Sequence, residues 1–125
     1  MNIPDLSEIP DLEAAAEGEY NLKIVSSRSA KADNGREGYK FVVHNQDGNN
    51  YIPIFESIWF PLESEDEAKT QMMWRMVKEF VTALGLPPGD IGPEEFMGIE
   101  FSAMLGVRKN DYTGNIENYI IKITD

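Results

Sequence analysis

The chain is 125 residues long, 42% hydrophobic and free of cysteine, with a formal net charge of −11. That size suits one globular domain able to close a core. The lack of thiols excludes disulfides, thiolate zinc sites and a cysteine nucleophile, and it fits a reducing compartment.

Residues 1–18 carry Asp5, Glu8, Asp11, Glu13 and Glu17 without a single base. Ile3, Leu6, Ile9 and Leu12 are interspersed, and Pro4 and Pro10 discourage a continuous helix. The segment reads as an acidic arm, loosely attached or docked, and unlike a secretion or transit signal. No apolar run in the chain approaches the roughly 20 residues that span a bilayer. A soluble, cytoplasmic protein with no membrane partner is expected.

From Glu19 the pattern alternates every second residue, as in a half-buried strand: Tyr20, Leu22 and Ile24 against Asn21, Lys23 and Val25. The polar stretch SSRSAKADNGREG reads as a loop with Asp33-Asn34-Gly35 at its tip. GYKFVVHN is a second strand, Asp47-Gly48-Asn49 a tight turn, and YIPIFESIWF a third strand, with Pro53 marking an edge or a bulge. Ser64 and Glu67 have the spacing of a capping box for a helix that runs to Leu84, where Gly85 and Pro87-Pro88 end it. Met72, Met73, Met76, Val77, Phe80 and Leu84 share one face at helical spacing and read as core, with Trp74 at the flank. IEFSAMLGVRK is a fourth strand, Asn110–Asn115 a turn, and ENYIIKI a fifth strand; no internal repeat stands out.

The order β-β-β-α-β-β, mainly β with one helix, matches a five-stranded Greek-key barrel of the OB type, whose helix plugs one end. An α+β sandwich with the helix across an open sheet is the alternative. The domain is expected over residues 19–125. Such barrels bind ligands over strands two and three, between the loop joining strands one and two and the loop joining four and five.

Charge falls where that site would be. Lys23, Arg28, Lys31, Arg36 and Lys40 face only Asp33 and Glu37 within residues 23–40, a local +3, against −14 for the rest. Arg108 and Lys109 lead into the last loop, which carries Tyr112. Alternation sets Tyr51, Phe55 and Trp59 on one face of the third strand, opposite Ile54, Ile58 and Phe60, with Glu56 misplaced among the aliphatics. On the second strand Lys40 and His44 point outward and Phe41 and Val43 inward. Trp59 is expected to be partly exposed beside a groove and Phe60 to lie in the core. One histidine without cysteine supplies no metal site, and no nuclease, P-loop, hydrolase or deaminase motif is present. Neither catalysis nor a cofactor is expected.

EGEYNLKI, WFPLESEDEAKTQMMWRMVKEFVTALGL, FMGIEFSAML and NDYTGNIENYIIKI together resemble small phage-encoded single-stranded DNA-binding proteins of the OB-fold type, over nearly the whole chain from about Ile9. The resemblance implies sequence-independent coating and protection of single strands during phage replication, recombination or repair, with hand-over to phage or host partner proteins. An acidic C-terminal tail, common among such proteins for recruitment, is missing from the final residues. The acidic arm is the candidate substitute, and homo-oligomers fit the reading. One rival, a DNA mimic, follows from the acidity; another, a protein-binding OB module acting on a DNA-processing enzyme, shares every feature except affinity for DNA.

Overall fold

A computed structural model describes residues 2–7, 9, 11–87 and 89–125. Glu8 and Pro10 of the arm and Pro88 after the helix, each read above from sequence, lie outside the described residues. The chain forms β1 (Gly18–Lys31), β2 (Glu37–Asn45), β3 (Ile54–Trp59), α1 (Glu67–Ala83), a 3-10 turn (Pro93–Phe96), β4 (Glu100–Lys109) and β5 (Ile116–Ile123). All paired neighbours are antiparallel, in one sheet ordered β3-β2-β1-β4-β5.

Strand-to-strand hydrogen bonds alone do not close the expected barrel. The spatial order departs from chain order, because β4 returns beside β1, and the hydrogen-bonded sheet is open, with β3 and β5 as its edges. Those edges approach one another, and residues 13–15 of the arm lie across the interval. Glu13 N–H donates to Asn50 O (2.8 Å), and Ile52 N–H donates to Glu13 O (3.0 Å). On the other side the buried Asn118 side chain clasps one residue. Its Oδ1 accepts Ala15 N–H (2.8 Å), and its Nδ2 donates to Ala15 O (2.9 Å) and Gly106 O (3.1 Å). The arm is docked at this point, and an amide stands in for the missing stretch of ladder.

The first strand is longer than its pattern suggests. Ser26–Lys31, read as loop from its polarity, pairs with Val42–Glu37. A bulge at Val25 resets the phase. Without it Arg28 would share a face with the buried Ile24; with it Arg28 turns outward. The hairpin turn is thereby reduced to Ala32–Arg36, closed by Gly35 at φ +89° and by Asn34 Oδ1 accepting Arg36 N–H. The third strand is shorter than expected, since Pro53 donates no ladder bond and pairing begins at Ile54.

The helix cap also differs. Asp66, rather than Ser64, accepts Lys69 N–H (2.8 Å) at the N-cap. Glu65 is turned the other way, accepting Leu62 N–H (2.7 Å) and pairing with Arg36 and Lys69. Of the expected apolar face, Met73, Val77, Phe80 and Leu84 turn toward the body of the protein, joined by the buried Val81. Met72 and Met76 are exposed. The core lies between the concave side of the sheet, α1 and the 3-10 turn, around Leu22, Ile24, Phe41, Val43, Ile54, Phe96 and Leu105. Phe41 holds it together, 4.8 Å from the Phe96 ring and 5.7 Å from Phe80. Burial of each such side chain contributes about 1.5–3 kcal/mol. No helix among the described residues is long and apolar enough to cross a membrane.

Candidate nucleic-acid interface

Because β2 alternates with Phe41 and Val43 buried, Lys40, Val42 and His44 face the opposite side. The register carries that outer face across three strands. Arg28 lies opposite Lys40 and Lys40 opposite Ser57; Ser26, Val42 and Phe55 form the next row. Ala30, Gly38 and Trp59 make a third row toward the β1–β2 turn, and Lys23 lies opposite His44 at the other end. A shallow groove of about 310 Å³ is lined by Arg28, Lys40, Val42 and Phe55, with Glu56 and Ser57 of β3 also on its wall. Phe55 is 70% exposed, which for a ring on a packed sheet is exceptional.

Trp59 is half-buried for a local reason. Its ring lies over Gly38, where an added Cβ would come within 2.6 Å of it, and Lys40 Nζ stands 6.0 Å from its centroid. Glycine at position 38 is what lets the ring lie flat on the sheet. Phe60, on the other phase, stacks on Trp74 (5.4 Å) and meets Tyr39 edge-on (5.0 Å).

Phe55 also borders a second cavity of about 730 Å³, walled by Leu12–Ala14 of the arm, Ile52, and Asn110, Thr113, Ile116 and Glu117 of the β4–β5 turn and its flanks. The turn at this end is held by Asn110, whose Oδ1 accepts Tyr112 and Thr113 N–H, and it leaves Tyr112 fully exposed. Phe55 is therefore the shared wall between a groove with two bases and Glu56 and a cavity with two carboxylates, Glu13 and Glu117.

Four of the expected site residues lie off this surface. Arg36 is spent: its Nη1 pairs with Glu65 (2.7 Å) and donates to Phe60 O (3.1 Å) and Met73 Sδ (3.0 Å), clamping the β1–β2 turn to the helix. The Leu62 N–H, Lys69 and Arg36 hold the Glu65 carboxyl down to about 2. Arg108 pairs with Glu117 (3.0 Å) and covers the Tyr119 ring at 5.1 Å. Tyr51 precedes β3 and packs edge-on against Tyr20 at 5.8 Å. Lys31 falls one residue out of phase with Arg28 and lies opposite Glu37. Lys109 is exposed at the end of β4. Lys23, Arg28, Lys40 and Lys109 make no ion pair among the described residues.

Glu56 is the misfit the alternation announced. No bulge rescues it: it lies opposite buried Phe41 on the inner phase, and burial pushes its carboxyl up. Ser27, opposite the same Phe41, has a buried hydroxyl without a partner among the described residues. Sequence reasoning missed Asn118 altogether, although an amide in phase with Ile116 and Ile120 on the alternating strand was the signal available. Among the described residues no three metal-ligating side chains gather.

No known protein-family model matches the chain. No curated protein is similar enough to count as a relative.

Proposed function

We propose that this chain is a non-catalytic single-stranded DNA-binding module of OB type, acting in phage replication, recombination or repair. The observation that carries the reading is the outer face of β1–β3, where Arg28 and Lys40, in no ion pair among the described residues, stand beside a largely exposed Phe55. Sequence-tolerant binding of an unpaired strand needs those two elements: cations along the backbone, and rings on which bases stack at about 1–3 kcal/mol each. The strand order β3-β2-β1-β4-β5, the approach of β3 to β5 and the arm across their seam support a Greek-key barrel completed by the arm. The β4–β5 turn beside Phe55 supports a strand path from the basic groove toward Tyr112.

The test is a titration of fluorescein-labelled oligo(dT) by anisotropy. Binding is expected to exceed that of duplex of equal length, to weaken as salt rises, and to fall about 5- to 150-fold in Phe55→Ala. Equal or better binding to duplex, or an unchanged affinity in Phe55→Ala, sinks the reading. Absence of any binding, with inhibition of a DNA-processing enzyme instead, transfers the case to the DNA-mimic alternative.

A further inference from the structure

The cavity of about 730 Å³ on the far side of Phe55 differs in chemistry from the basic groove. No lysine or arginine lines it, so nothing on its wall attracts a phosphate. Its apolar surface comes from Leu12 of the arm, Ile52, Pro53, Phe55 and Ile116, and Leu12, Phe55 and Ile116 are each more than half exposed. Bare apolar walls around a ring, reached from a groove that carries cations, suit the flat part of a nucleotide whose phosphate stays in the groove.

The polar groups on the wall narrow the choice of nucleobase. Glu117 is occupied, since its Oε1 accepts from Arg108 Nε (3.0 Å) and its Oε2 from Asn110 Nδ2 (3.4 Å). The Asn110 Oδ1 is occupied in turn by the N–H groups of Tyr112 and Thr113. Glu13 is different. Its backbone is held between Asn50 and Ile52, but its carboxylate makes no ion pair among the described residues. Across the cavity, Asn115 gives its N–H to Thr113 Oγ1 and its carbonyl accepts Asn110 N–H. Its side-chain amide has no partner among the described residues, and both Glu13 and Asn115 are exposed. An ionised carboxylate can only accept, whereas an amide also donates. The cavity thus offers an acceptor pair on the arm wall and a donor on the turn wall.

We infer that this cavity holds one nucleobase of the bound strand and prefers guanine. Among the four bases, guanine alone presents two adjacent donors, N1–H and N2–H, which match the two oxygens of Glu13. Its O6, on the other side of N1–H, accepts from the Asn115 amide. Adenine and cytosine set an acceptor beside their single amino group, and thymine flanks its N3–H with two; a carboxylate repels those acceptors. The purine lies against Phe55, with Leu12 and Ile116 around it. The arm, fixed by the clasp of Asn118 on Ala15, thereby supplies the group that reads the base. The inference rests on the single-strand reading of the neighbouring groove, and adds to it one position of base preference within otherwise tolerant binding.

The experiment measures the full chain against oligo(dT) and against oligomers of equal length in which one thymine, position by position, becomes guanine, hypoxanthine, adenine or cytosine. Guanine at the best position should raise affinity about fivefold or more. That gain should persist as salt rises, because it adds no phosphate contact. Hypoxanthine, which lacks the 2-amino group, should give a smaller gain. Glu13→Gln, which keeps both backbone bonds, should abolish the advantage of guanine over hypoxanthine, and Asn115→Ala should reduce the gain from both. Glu79→Gln, the same change of charge on α1, should keep the full guanine gain. An equal gain from adenine or cytosine, no gain from guanine at any position, or a gain that survives Glu13→Gln overturns the inference. Should none of the oligomers bind, dGMP and dIMP are compared by their shifts of the Phe55 and Asn115 NMR signals. Larger shifts with dGMP keep the guanine site and remove only the strand reading; equal or absent shifts remove both.

Discussion

Two pairs of bases on this molecule invite comparison. Arg28 and Lys40 stand opposite one another on the outer face, in no ion pair among the described residues, beside an exposed ring. Arg36 and Arg108 were equally promising in sequence, yet each is held by a glutamate, Glu65 and Glu117, at 2.7 and 3.0 Å. A cation already paired offers a phosphate little, since binding must first break the pair. The distinction between a charge that builds the protein and one left over for a ligand is therefore drawn by acids on other elements, Glu65 before α1 and Glu117 on β5.

The sharpest way to break this comparison is a double substitution in each pair. Arg28→Ala with Lys40→Ala should weaken oligo(dT) binding about 10- to 100-fold and flatten the salt dependence by about 1.4, two phosphates at roughly 0.7 each for single strands. Arg36→Ala with Arg108→Ala should leave affinity within about twofold while lowering the melting temperature. Equal losses of affinity in the two doubles would erase the contrast. Asn118→Ala extends it to a neutral group that is wholly spent. Truncation leaves the backbone groups of Ala15 and the Gly106 carbonyl without partners, so urea unfolding should report a loss of about 1–3 kcal/mol. Hydrogen exchange at Ala15 should rise ahead of the rest of the sheet.

The smallest effect belongs to Glu56, a charge neither paired nor fully solvated. Its carboxyl is raised in the folded state, so the folded form is favoured below the ordinary glutamate range, and that advantage is lost as pH rises through the raised value. Glu65 has the opposite sign: its contribution is present above the ordinary range and is lost as pH falls toward about 2. Glu56→Gln should therefore be more stable than the parent near neutral pH and converge with it in mild acid, as read by urea midpoints at about pH 4 and about pH 8. No gain at neutral pH would mean that Glu56 has found a counter-charge.

What could be read from the residues was what alternation determines. Phe41 and Val43 inward, Lys40 and His44 outward, Ile54 and Ile58 buried and Phe55 bare all follow from period two. Single-residue phase changes could not be read. The bulge at Val25 converts a polar loop into strand and turns Arg28 to the outer face, and nothing in SSRSAK announces it. The helix cap moved from Ser64 to Asp66 because Glu65 is claimed by Arg36, a partner 29 positions earlier in the chain. Met72 and Met76 extend the apolar stripe of the helix but stay exposed, because such a stripe carries no record of how wide its neighbour is.

The clasp of Ala15 by Asn118 joins residues 103 positions apart. Closing so long a loop costs entropy before any bond repays it. During synthesis the arm leaves the ribosome well before Asn118, and it has nowhere to settle until the strand bearing that amide has followed. Sealing the seam is accordingly a late folding event, and a half-made chain presents both sheet edges bare, the condition in which strands from neighbouring chains find each other.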